Sequence, residues 1–241
     1  MDRTALGALL IAIGLAAGGW FVGQGFTRGR AADRFVTVKG VSEREVKANL
    51  ALWPIGFVAA ADDLGQAQAQ ITASAAKVRE FLRSNGIDPE QAVVQDYNVT
   101  DTEANTYGGN RAPNRFVIRQ TIMARSGDPD VIFTASQKVN ELVNAGVVLS
   151  TEGGMGSSGP TYLFTKLNDL KPSMIAEATA SARQAAEQFA KDSQSALGSI
   201  RQANQGVFVI LPRDQAPGAS EESQRAKTVR VVTTVEYYLR D

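Results

Sequence analysis

The chain has 241 residues, 44% of them hydrophobic, with 25 basic and 25 acidic side chains. That content excludes a disordered chain, and the charge balance lacks the basic excess of a nucleic-acid binder. Cysteine and histidine are both absent, which excludes disulfides, thiolate metal sites, zinc sites of the HExxH type and any Ser-His-Asp triad.

Residues 4–26 carry no charge. As a helix they reach about 34 Å, enough for a hydrocarbon core of about 30 Å. A single-pass membrane helix is therefore expected, with Trp20 and Phe21 near one interface. The competing expectation is a signal peptide cleaved after Leu15-Ala16-Ala17, but apolar sequence continues past that point and Asp2 offsets Arg3. Gly14 and Gly18, like Gly19 and Gly23, are four apart, a spacing that lets two membrane helices pack closely. Arg28, Arg30 and Arg34 follow the segment. By the positive-inside rule alone they place the folded part in the cytoplasm.

Two extended runs come next, residues 35–39 and 46–59, with Pro54 marking an edge or a bulge. Leu64, Ala67, Ile71, Ala75, Val78 and Leu82 then form one helical stripe. Asp62 or Asp63 caps its start, and Asn85-Gly86 ends it. Strands are expected over 93–103 and 115–125. Asp128-Pro129 opens a second helix that runs through Val139 and Leu142 and stops before Gly146. Further runs over 147–151 and 161–165 follow. A third helix after Lys171-Pro172 presents Ile175, Ala178, Ala182, Ala185 and Phe189, and Gly198 closes it. The last extended runs are 206–211 and 228–239, the latter alternating cleanly. The order ββ-α-ββ-α-ββ-α-ββ predicts an α+β fold of repeated helix–hairpin units with largely antiparallel sheet, preceded by the transmembrane helix. Residues 1–30 form the anchor and linker, and 31–241 the folded domain. Two polar loops, 104–114 and 212–227, read as exposed, mobile connections.

Few residues suggest chemistry. Gly154-Met155-Gly156-Ser157-Ser158-Gly159 spells GxGxxG, but an extended run follows it where a nucleotide site needs a helix. It reads as a flexible connection. Asp62-Asp63 and Glu221-Glu222 could offer oxygen ligands to a cation. The first pair has a capping role, and the second lacks a third ligand at regular spacing, so no metal, cofactor or catalytic residue is expected. Trp53, Tyr237 and Tyr238 are the aromatics expected at subunit contacts, since neighbours in a strand point to opposite faces.

Phe35-Val36-Thr37-Val38-Lys39-Gly40, Glu43-Arg44-Glu45-Val46-Lys47-Ala48 and Trp53-Pro54-Ile55 carry a resemblance. So do Gly206-Val207-Phe208 and Thr228-Val229-Arg230-Val231-Val232-Thr233-Thr234-Val235-Glu236-Tyr237-Tyr238-Leu239. Together they resemble the SIMPL-domain (DUF541) proteins, over about residues 35–240. The Trp-Pro-Ile run is similar to a bacterial subgroup with an N-terminal membrane segment. The resemblance implies a folded part outside the cytoplasm, a large ring- or cage-like homo-oligomer as a member of the family forms, and no agreed catalytic residue. It implies the opposite orientation to the arginine count. The expected function is thus a non-enzymatic scaffold at the bacterial inner membrane. Its expected partners are the lipid bilayer and further copies of itself, with no nucleic acid and no known small-molecule ligand. The alternative is a monomeric or dimeric periplasmic domain that binds a ligand or protects against oxidative stress.

Overall fold

The computed structural model describes residues 3–31, 34–104, 113–150 and 159–240, and within the first helix the side chains of residue 7 and residues 11–25. The elements are α1 (Arg3–Ala31), β1 (Phe35–Lys47), β2 (Leu50–Ala61), α2 (Leu64–Ser84), β3 (Ala92–Asp101), β4 (Phe116–Ser126), α3 (Pro129–Ser136), α4 (Asn140–Asn144), β5 (Thr161–Leu163), α5 (Leu167–Asp192), β6 (Ala196–Gln205), β7 (Val209–Pro212) and β8 (Ala226–Arg240). Among the described residues they make two four-stranded sheets. One has the order β1-β8-β6, with β7 also on β8, and the other β3-β4-β2-β5. The determined strand pairs are antiparallel. The α+β class with antiparallel sheet is therefore correct.

Among the described residues no helix is long and apolar enough to cross a membrane. The continuous described side chains of α1, residues 11–25, amount to about 22 Å of helix. The expected membrane span over 4–26 is not supported by them.

Contacts divide the chain into two compact units. The first holds residues 1–43, 170–209 and 230–241, the second 44–169 and 210–229. In the second unit, β2 alternates strictly between buried and half-buried positions. Its buried Trp53, Ile55 and Phe57 meet Ile71, Val78 and Leu82 of α2 in one core. Trp53 stands edge-on to Phe81, with ring centroids 6.2 Å apart. Asp63 caps α2 by accepting from the Gln66 amide, and Gly86 ends it at φ +79°. Pro54 costs the ladder nothing. Gly56 and Val58 bond to residues 150 and 148 on the side away from β4. By alternation the Pro54 nitrogen faces that side too, between them and the end of β5 opposite Leu52.

In the first unit, Met174, Ala178, Ala182, Ala186 and Ala190 form the buried stripe of α5. The expected face is rotated, since Phe189 is exposed. The reason is close approach. A Cβ on Gly40 of β1 would lie 1.8 Å from the Ala178 carbonyl oxygen, so backbone meets backbone there and only small side chains fit. Ala182 and Ala186 pack with Val36, Val38, Val235 and Tyr237.

Other differences have local causes. The helix expected from Asp128-Pro129 to just before Gly146 is broken into α3 and α4 because the Lys138, Val139, Glu141 and Leu142 amides bond three residues back instead of four. α5 begins at Leu167, ahead of Pro172, and Gly198 lies in β6 rather than at a helix end. β6 is a strand that the polar sequence ALGSIRQANQ did not announce. The run expected over 147–151 is reduced to one bridge, Phe57 to Leu149.

Candidate interaction surface

The β3-β4-β2-β5 sheet ends in β3, whose outer edge has no partner among the described residues. Ten residues at about 3.3 Å each leave about 33 Å of edge. Every residue from Val93 to Val99 is exposed, and the apolar ones include Val93, Val94, Tyr97 and Val99, at 43–58% exposure.

The register explains why these side chains are apolar. Val94 faces Ile122, Tyr97 faces Gln120 and Val99 faces Ile118, and all three β4 partners are buried. Cross-strand partners share a face. Val94, Tyr97 and Val99 therefore lie on the core face of the sheet, beyond the strip that α2 covers. A bulge between Val94 and Asp96 makes this possible: it inserts Gln95 and brings Val94 and Tyr97 to the same side. The Tyr97 hydroxyl donates to Gln68 Oε1 of α2 at 2.5 Å, fixing the ring at the border of the covered strip. The result is an open strand edge flanked by an apolar step. Such an edge is a template for another strand. Only Asp96 and Asp101 supply charge on β3.

The hairpin end of this surface is held by charge. Arg115 donates to Asp101 at 3.1 Å and lies 3.3 Å from Glu103. The Arg115 hydrogen bonds hold the Asp101 carboxyl below its ordinary value, and Asp101 in turn raises Arg115. The Asp62 carboxylate accepts from the Arg115 amide, while Asp63 caps α2.

β6 is the corresponding end of the other sheet. Its residues from Ser199 to Gln205 are exposed, Ile200 among them, and bulges interrupt its pairing with β8.

The sequence-expected site residues are dispersed. Trp53 and Tyr237 are each 2% exposed, so their rings lie in the interiors of their own units. Tyr238 is half-buried. A Cβ built on Gly14, Gly18, Gly19 or Gly23 would meet nothing within 4 Å. The GxGxxG letters at 154–158 lie outside the described residues, as do 105–112 of the first polar loop and Thr151. The second polar loop is fastened rather than loose. Lys227 is fully buried, and its ammonium donates to the Glu221 carbonyl and pairs with the Glu221 carboxylate. The Gln224 amide brackets the Asp214 backbone at both its N–H and its C=O. Arg225 pairs with Asp130 and lies over the Phe133 ring, 3.9 Å from its centroid. Burial pushes the phenol of nearby Tyr162 up. Glu221 is thus spent on a buried cation. Among the described residues no group of three acidic side chains is placed to hold a metal.

Val94, Tyr97 and Val99 do not stand out as a surface in the sequence. The only signal was the paired Val93-Val94, which breaks alternation where the bulge lies.

The family model named SIMPL, described as "Protein of unknown function (DUF541)", matches residues 36–237. No curated protein matches the chain.

Proposed function

The chain belongs to the SIMPL (DUF541) family, and from that premise we propose that it is a non-enzymatic, membrane-anchored protein that self-assembles through its open strand edges. The observation that carries this reading is the apolar step of Val94, Tyr97 and Val99 beside the unpaired edge of β3. Left in water, such an edge invites irregular pairing, whereas a defined partner strand satisfies its backbone and covers its side chains. A second open edge, β6, makes a head-to-tail contact between copies available. Contacts of that kind close into a ring or cage when the rotation between copies allows it.

The anchor is supported by composition. Residues 4–26 carry no charge. The exposed apolar residues Ile11, Ile13, Leu15, Trp20, Phe21 and Val22 are spread around α1 rather than along one face. Gly14, Gly18, Gly19 and Gly23 offer small surfaces for a neighbouring anchor helix. We place the folded part on the periplasmic side of a bacterial inner membrane, on family resemblance and against the count of Arg28, Arg30 and Arg34. Tyr238 remains an available subunit contact.

The test is the mass of the full-length protein in mild detergent by light scattering, with negative-stain images of the same sample. A discrete particle of many subunits supports the reading. A monomer or dimer removes it and favours the alternative of a ligand-binding or stress-protective domain.

A further inference from the structure

We infer that a polar cleft at one end of the β3-β4-β2-β5 sheet binds a free amino acid, holding its carboxylate on Arg125 and its ammonium group on Asp88. The inference is independent of self-assembly. The cleft has a volume of about 780 Å³, within the range of about 300–1,000 Å³ usual for small-molecule sites. It forms where β2 begins, β4 ends and β5 has just ended, and the segment after α2 closes it with Gly86, Asp88 and Gln91.

Its chemistry is specific. Arg125 is exposed and has no hydrogen-bond or ion-pair partner among the described residues. A free guanidinium offers two parallel N–H donors matched to a carboxylate. Two hydroxyls in the lining each accept one hydrogen bond and donate none among the described residues. Thr165 Oγ1 accepts from Asn49 Nδ2 at 2.8 Å, and Ser126 Oγ accepts from the Asp128 amide at 3.0 Å. The Thr165 amide also donates to Asn49 Oδ1 at 2.8 Å, so Asn49 and Thr165 lock one another before any ligand arrives. Asp88 accepts from the Glu90 amide through Oδ1 alone, which leaves Oδ2 for a cation. One free cation, one free anionic oxygen and hydroxyl donors complement a small zwitterion.

The experiment is calorimetric titration of the full-length protein in detergent with the common amino acids. The controls are the matched carboxylic acids without the amine, the matched amines without the carboxylate, and inorganic phosphate. Variants Arg125→Gln and Asp88→Asn are titrated in parallel. Asparagine caps as well as aspartate does, so Asp88→Asn removes the charge and keeps the turn. At least one amino acid is expected to bind saturably, and each variant to weaken it tenfold or more. The amine-free and carboxylate-free analogues are expected to bind tenfold or more weaker to the unmodified protein. The absence of saturable binding by any amino acid overturns the inference. Binding that survives both variants also overturns it. So does binding sensitive to Arg125→Gln alone or matched by phosphate, because the occupant is then a simple anion. Particle mass measured on the same samples separates these outcomes from any failure of assembly.

Discussion

Lys227, with none of its side chain exposed, is held by Glu221 twice: through the backbone carbonyl at 2.5 Å and through the carboxylate. A buried ammonium keeps its charge in the interior only when its hydrogen bonds and a countercharge are supplied together. Together with the Gln224–Asp214 and Arg225–Asp130 contacts, it makes the polar stretch after β7 a fastened connection.

Removing the two partners should therefore have unequal effects. Glu221→Ala leaves the ammonium buried with one carbonyl and should cost about 2–4 kcal/mol. Lys227→Met removes the buried charge and leaves only the Glu221 carboxylate, which is 26% exposed and reached by water, so it should cost less than Glu221→Ala. Urea denaturation of both variants checks this, and a larger loss for Lys227→Met contradicts it.

Close packing of α5 on β1 makes a second prediction. The Gly40 Cβ position lies 1.8 Å from the Ala178 oxygen and 2.5 Å from the Ala182 nitrogen. Neither backbone atom can yield cheaply. Gly40→Ala should cost about 3 kcal/mol, a fall of roughly 10 °C in Tm for a domain of this size. Gly218→Ala has open space around it but φ +81°, and should cost only about 1 kcal/mol. Thermal unfolding followed by circular dichroism ranks the two.

The pH response at the hairpin end follows from Asp101. Arg115 holds the Asp101 carboxyl below its ordinary value. Its contribution is thus fully present above the unfolded-state pKa and is lost as pH falls through the lower folded-state pKa. Arg115→Gln should raise the Asp101 pKa back toward the ordinary aspartate range. Carboxyl-detected NMR titration reads this directly, and an unchanged midpoint contradicts it.

Orientation can be tested cleanly because the chain has no cysteine. A Glu222→Cys variant, at an exposed position, should react in intact cells whose outer membrane is permeabilised with a thiol reagent that does not cross the inner membrane. Labelling only after the inner membrane is broken would place the folded part in the cytoplasm, as the arginine count alone indicates.

Legibility in the sequence followed the range of the interactions. α2 was readable because its period, its Asp63 cap and its Gly86 terminus are all local. The paired strands β1, β2, β4 and β8 were readable because one face of each is buried and alternation records it. The face of α5 was not: a stripe of alanines chosen for close approach has less hydrophobic contrast than the exposed Phe189 beside it. β6 was hidden because an edge strand with exposed side chains needs no apolar pattern. A buried lysine gives no sequence sign at all, since its burial depends on a carboxylate that the fold supplies. The amino-acid cleft draws on segments around residues 49, 88, 125 and 165, whose adjacency only the sheet creates. The exposed step on β3 was concealed by a bulge, which moves Tyr97 to the face that simple alternation assigns to its neighbour.

The most direct test of assembly through open strand edges is the mass of the full-length protein carrying Tyr97→Lys with Val99→Lys on β3, compared in detergent with the unmodified protein and with Ile200→Lys on β6. Charged side chains on an edge block strand pairing, and Tyr97 and Val99 are exposed beyond the strip that α2 covers. The unmodified protein should give a particle of many subunits and the β3 variant a collapse toward monomer, with an unchanged circular dichroism spectrum. The β6 variant should collapse similarly. A β3 variant that keeps the full particle mass would contradict the account, because the edge would then lie outside every contact that holds the assembly together.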